Sequence, residues 1–194
     1  MQIIFFANIV YQMPRVNLAL RPDDAAFEAA IIASAQKHFS ATADGYLLTP
    51  NAALPHVTVC DFEAEEASRA ELWESLSAIC ANNIELVCDS TCTRLGQRKH
   101  EGFVWIGLEI VRSRELVVLE EKAHDFLNKK KVNFHSPSGA IYWPHITFAR
   151  LKKADAKSLP LFFPDELLSA KPRPFHLTLG LSDVNGVYRR QLFP

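Results

Sequence analysis

The chain has 194 residues, 48% of them apolar and 22% charged, with a formal net charge of −1. That length can bury a core without disulfides or metals to staple it, and the composition excludes disordered and fibrous classes. The near-zero charge excludes a protein that grips an extended duplex along its length, since such proteins carry a clear basic excess.

Taken in chain order, Gln2 to Tyr11 is rich in β-branched and aromatic residues and ends at Pro14, which predicts a buried strand. This stretch is too short to span a membrane and lacks a positive n-region and a cleavage site, so no membrane segment is expected. Pro22-Asp23-Asp24 opens a helix over Ala25 to Phe39, where apolar residues recur at helical spacing and the aspartates suit the positive end of the dipole. Leu54 to Phe62 predicts a second strand. Glu63 to Ala81 predicts an amphipathic helix with Leu72, Trp73, Leu76, Ile79 and Cys80 as its buried stripe.

Ile84 to Leu95 and Phe103 to Val111 read as two strands joined by the polar segment Gly96 to Gly102, an antiparallel hairpin. A helix follows from Ser113 to about Lys130. After the Ser136-Pro137-Ser138-Gly139 turn, Tyr142 to Leu151 predicts another strand, and Asp165 to Ala170 a short helix. Pro174 to Leu181 and Val187 to Phe193, with turn residues Asp183 to Gly186 between them, predict a closing hairpin. The basic runs Arg94-Gln97-Arg98-Lys99-His100 and Lys129-Lys130-Lys131 read as solvated turns or helix ends. Cys60, Cys80, Cys88 and Cys92 have neither zinc-site spacing nor the density of a disulfide scaffold. They are expected as reduced, buried thiols in a cytoplasmic protein.

The pattern apolar-Pro-His-aliphatic-Thr-apolar occurs twice, as Leu54-Pro55-His56-Val57-Thr58-Val59 and Trp143-Pro144-His145-Ile146-Thr147-Phe148, one copy per half of the chain. Seven histidines and seven threonines would give roughly a quarter of one His-x-Thr match at random. Residues i and i+2 of a strand share a face, so His56 lies beside Thr58 and His145 beside Thr147, while Val57 and Ile146 point into the opposite layer. Two such faces brought together by a pseudo-two-fold axis would line one cleft. Paired imidazoles can take a proton from a nucleophile and give one to a leaving oxygen, and the threonine hydroxyls can hold phosphoryl oxygens. His176, in Phe175-His176-Leu177-Thr178, also fits His-x-Thr but lacks the proline, and it reads as sheet surface. His38, His100, His124 and His135 have no repeated context and read as structural.

Two H-x-T-x motifs in a chain of this length resemble the 2H phosphoesterase superfamily, which includes 2′-5′ RNA ligases and cyclic nucleotide phosphodiesterases. The resemblance spans nearly the whole chain. It implies that His56 and His145 are catalytic and that Thr58 and Thr147 bind phosphate. His145 to Arg150 is similar to the second motif of the RNA ligase-like branch, which often continues with arginine, whereas Cys60-Asp61-Phe62 departs from the first motif of that branch. Arg150, on the opposite strand parity from His145, is not expected in the site.

The expectation is therefore a single domain over 1–194, α+β and bilobal, with a pseudo-two-fold arrangement of antiparallel sheets, helices outside and a central cleft. It would act without metal or cofactor, as a monomer, on a 2′,3′-cyclic or 2′-5′-linked nucleotide or an RNA-end phosphodiester. Tyr142 and Trp143, ahead of the second motif, could stack on a nucleobase. The competing class is an inactive module that binds a phosphorylated nucleotide or RNA end. The residues leave open which histidine is the acid and which the base.

Overall fold

The helix foreseen after Asp23-Asp24 forms over Ala25–Phe39 (α1), with the Asp24 carboxylate accepting from the Ala26 amide at 2.8 Å as its N-cap. The structure, a computed structural model, describes residues 13–80, 83–96, 100–136, 138–156, 167–183 and 185–194. The strand expected over 2–11 lies outside them. The remaining elements are β1 (Arg15–Pro22), β2 (Ala43–Leu47), β3 (Val57–Glu63), α2 (Arg69–Ile79), β4 (Asn83–Leu95), β5 (Phe103–Ile110), α3 (Arg114–Lys129), β6 (His145–Lys152), α4 (Lys153–Ala156), β7 (Ser169–Ser182) and β8 (Tyr188–Phe193).

The sheet runs β2-β6-β5-β4-β7-β1-β3, with β8 added on β7, and its ladders are antiparallel. The α+β class is as expected, but the two sheets foreseen are joined in one path where β4 pairs with β7, Asn83 opposite His176 and Leu86 opposite Arg173. That pairing also corrects the short helix expected up to Ala170. Ser169 and Ala170 begin β7, because the first half of β4 offers them a ladder that outweighs local helical preference. β1, which the sequence reading passed over, lies between β3 and β7 with Val16, Leu18 and Leu20 fully buried. The helix expected over Glu63 to Ala81 is shorter: Glu63 ends β3, a 3₁₀ turn covers Glu66–Ser68, and Ile79 is exposed instead of lying in the core stripe.

Pairing registers repeat between the halves. β1 faces β3 with Ala19 opposite Thr58 and Leu20 opposite Val57; β5 faces β6 with Gly107 opposite Thr147 and Leu108 opposite Ile146. In each pair the register slips by one residue directly after the threonine, leaving Val59 and Phe148 as the extra residues of two equivalent bulges. Below the sheet, α1 contacts β6 and β2, and α3 contacts β3, so each long helix supports the motif strand of the other half.

Candidate active site

Both motif histidines sit at the entry to a strand, behind a proline that biases the residue before it towards extended backbone. The carbonyl of that preceding residue meets the imidazole. His56 Nδ1 lies 2.8 Å from the Leu54 carbonyl, and His145 Nδ1 lies 2.9 Å from the Trp143 carbonyl. A carbonyl only accepts, so in both rings Nδ1 carries the hydrogen and Nε2 is left to exchange a proton.

Burial pushes the His56 pKa down from 6.5 to about 4; the Leu54 hydrogen bond works against this, while the charges of His145 and Arg21 add to it. The charge of His145 is thus felt at His56, which sets the two imidazoles within electrostatic range of each other. His145 is lowered too, by burial first, with its hydrogen bond to Trp143 raising it, Arg94 lowering it and Glu109 raising it. In an NMR titration the His56 Cε1–H is expected to move with a midpoint near 4. A midpoint at 6.5 would mean that the ring is solvated. Because the folded pKa lies below the unfolded one, the neutral ring's contribution to stability is fully present above 6.5 and is lost as pH falls towards about 4.

The threonines are held from behind. Tyr142 Oη donates to the Thr58 carbonyl at 2.9 Å, and Tyr46 Oη donates to the Thr147 carbonyl at 3.3 Å. These are the carbonyls where the bulges interrupt the ladder, and each tyrosine comes from the other half of the chain. Asn17 Nδ2 donates to Thr58 Oγ1 at 2.9 Å, which leaves the threonine's own O–H free to donate outward. Each histidine also has an aromatic neighbour: Tyr188 at 4.9 Å between ring centroids for His56, and Trp143 at 4.2 Å, nearly parallel, for His145.

The structure thus puts His56 with Thr58 and His145 with Thr147 at corresponding positions of the two motif strands, with the charge of His145 felt at His56. Tyr142 is a correction: it is buried, with its hydroxyl tied to Thr58, so its ring braces the first motif and has no open face for a base. Trp143 is half-buried and already engaged. His145 lies against it, the Arg94 guanidinium lies over it at 3.8 Å, and its Nε1 donates to Glu109 at 3.1 Å. At those distances His145 and Arg94 cannot share one face, so the indole is sandwiched between them. The parity argument against Arg150 also fails, because the bulge at Phe148 brings Arg150 opposite Trp105, onto the face that carries Glu109 and His145. There its guanidinium covers Phe103 at 4.4 Å and donates to the Asp44 carbonyl at 2.7 Å.

Sequence reasoning missed Asn17, Arg94, Glu109 and Tyr188. One signal was present in the third His-x-Thr: Thr178 Oγ1 hydrogen-bonds Tyr188 Oη at 2.7 Å, so that segment holds the ring beside His56. Gly180 makes room for it, since a Cβ there would meet the tyrosine ring at 2.3 Å. His176 itself pairs with Asp23. Two cavities of about 400 and 500 Å³ lie elsewhere, and neither is lined by a motif residue. Among the described residues no cluster of three or more His, Cys, Asp or Glu has metal-holding geometry, and no helix is long and apolar enough to cross a membrane.

The architecture defines a class: it is the α+β fold of solved LigT and phosphoesterase structures. No family model matches the sequence, and no curated protein matches it either. Among solved structures, E. coli LigT complexed with 3′-AMP superposes with a TM-score of 0.60 at 20% identity, covering 94% of this chain and 95% of that one. LigT complexed with phosphate gives 0.55 at 22% identity over 94% and 95% of the two chains. A structure described as a phosphoesterase gives 0.53 at 20% identity over 94% of each. At these identities the likeness is one of fold.

Proposed function

We propose that this chain is a metal-independent phosphodiesterase of the 2H type, acting on a 2′,3′-cyclic or 2′-5′-linked nucleotide or RNA-end phosphodiester. The observation that carries the reading is the duplicated tether, in which two neighbouring imidazoles each give Nδ1–H to a backbone carbonyl and keep Nε2 for chemistry. With Nδ1–H tied back, a neutral ring accepts a proton at Nε2 and a protonated ring gives one up there, the two halves of general acid-base catalysis. The bound 3′-AMP and phosphate of the LigT structures support a nucleotide phosphate as ligand.

In this reading a phosphodiester lies between the two motifs. One Nε2 takes the proton of water or of a ribose hydroxyl as it attacks phosphorus, and the other protonates the departing oxygen. The Thr58 and Thr147 hydroxyls donate to the non-bridging oxygens, where negative charge grows in the transition state. Asn17 fixes the Thr58 hydroxyl for that task, and the tyrosine braces hold both motif backbones still. The chain would work as a monomer and as one domain. Four free, buried cysteines agree with a cytoplasmic setting.

The test is hydrolysis of a panel of 2′,3′-cyclic nucleotides and 2′-5′-linked dinucleotides in EDTA. Turnover that resists EDTA is the expected result. Binding without turnover on every member would favour the non-catalytic module, and EDTA-sensitive turnover would remove the metal-free mechanism.

A further inference from the structure

The sheet face that carries both motifs also carries cations, and they are not neutralised alike. Directly opposed residues of neighbouring strands share a face, so Arg15 and Arg21 of β1 lie on the side of His56 and Thr58. Arg150 and Lys152, beyond the bulge in β6, lie on the side of His145 and Thr147. All four have carboxylate partners: Arg15 pairs with Asp61, Arg21 with Glu28, and Arg150 and Lys152 both reach Asp44, at 3.7 and 3.5 Å. Arg94 of β4 is on the same face, opposite Trp105, which is itself opposite Arg150. It is exposed, and among the described residues it forms no ion pair.

What holds Arg94 is the indole of Trp143. The guanidinium carbon lies 3.8 Å from the ring centroid, across the indole from His145, whose own ring lies 4.2 Å away. Trp143 is fixed in turn by its hydrogen bond to Glu109 at 3.1 Å. Glu109 is paired with Ser90 and Arg94 with Trp105, so to cover that indole the Arg94 side chain leans back along the sheet towards the level of Gly107 and Thr147. Gly107 offers no side chain to block it. A guanidinium stacked by its face keeps the N–H groups around its edge free to donate, and one already ordered loses less entropy when a ligand arrives. Its charge is felt at His145 more strongly than that of Glu109.

An exposed cation, ordered in advance and without a carboxylate, suits an anion that comes from outside. The scissile phosphate is not that anion. It would lie between the two motif threonines, beside the buried His56 and the half-buried His145, whereas Arg94 stands further out with the thickness of an indole between it and His145. A nucleic-acid strand carries one negative charge per nucleotide, so the group next to the scissile one is a second phosphate.

We propose that Arg94, held on Trp143, binds the phosphate next to the scissile one, so that the substrate is an oligonucleotide end with at least one further internucleotide phosphate. This rests on the two-histidine reading above.

The experiment uses two dinucleotides of the same sequence, each ending in a 2′,3′-cyclic phosphate, one with an ordinary phosphate linkage and one with an uncharged methylphosphonate in its place. Wild type is expected to show a KM about 10- to 100-fold lower for the phosphate linkage, the range that a hydrogen-bonded charge pair supplies, with similar kcat on both. Arg94→Met keeps an apolar contact on the indole but removes the charge, and it should abolish that preference, bringing the two KM values to within about threefold. A wild type that does not distinguish the linkages would overturn the subsite. So would an Arg94→Met variant that loses kcat on both dinucleotides while keeping the preference, since Arg94 would then only prop Trp143. If wild type turns over neither dinucleotide, the proposed activity on a cyclic phosphate falls, and titration calorimetry of the same two compounds still decides the subsite. Tighter binding of the phosphate linkage that disappears in Arg94→Met would uphold it, and equal binding of both by wild type would overturn it.

Discussion

Alanine at His56 or at His145 is expected to lower turnover of a cyclic or 2′-5′-linked phosphodiester by about 10²- to 10⁴-fold, the usual contribution of one positioned acid or base. The loss should fall on kcat rather than on KM, because the threonine hydroxyls that would hold the phosphate are untouched. The double variant should be little worse than the worse single one, since two groups that act in one proton relay do not contribute independently. Folding should survive each change. Each ring's backbone bond reaches only two residues back, to the Leu54 and Trp143 carbonyls, which precede β3 and β6 and belong to neither strand. The check is steady-state kinetics beside circular dichroism; a single variant with wild-type kcat would remove that histidine from the chemistry.

Gly107→Ala is expected to destabilise the protein by about 3 kcal/mol, the upper part of the range for overpacking a filled site, and so to lower Tm by about 6–12 °C for a chain of this size. A Cβ at Gly107 would lie 2.0 Å from the Ile146 carbonyl oxygen, 2.9 Å from its carbon and 3.0 Å from Thr147 Cα. All three are backbone atoms of the second motif, so relief would require moving β6 itself. The same substitution should therefore cost activity at temperatures where the fold survives, by shifting Thr147 and His145 away from β5. Thermal denaturation followed by kinetics of the folded variant tests both parts. An unchanged Tm would show that the bulge gives way freely.

The motif pair was legible because it is short, local and repeated: Pro55, His56, Thr58 and their counterparts carry strand, face and tautomer in six residues each. What surrounds them was not, because it arrives from distant segments. Glu109 reaches His145 only through strand pairing, and Tyr188 arrives from the last strand, so no spacing along the chain announces them. Arg150 shows why parity fails as a guide: one extra residue in β6 reverses which side every later side chain takes, and nothing in Ile146-Thr147-Phe148-Ala149 marks the bulge. β1 was missed for a different reason. Val16, Leu18 and Leu20 alternate with Arg15, Asn17 and Arg21 as a half-buried strand should, but the segment lies between two prolines that read as punctuation.

The chain is braided. β4 leaves the first half to lie beside β5, β7 leaves the second to lie beside β1, each long helix underpins the other half's motif strand, and each motif threonine is braced by a tyrosine from across the divide. Neither half can be cut out and keep its own motif in working order, because the parts that hold that motif belong to the other. Although the sequence reads as a duplication of one unit, each motif strand draws its support from the opposite half of the chain.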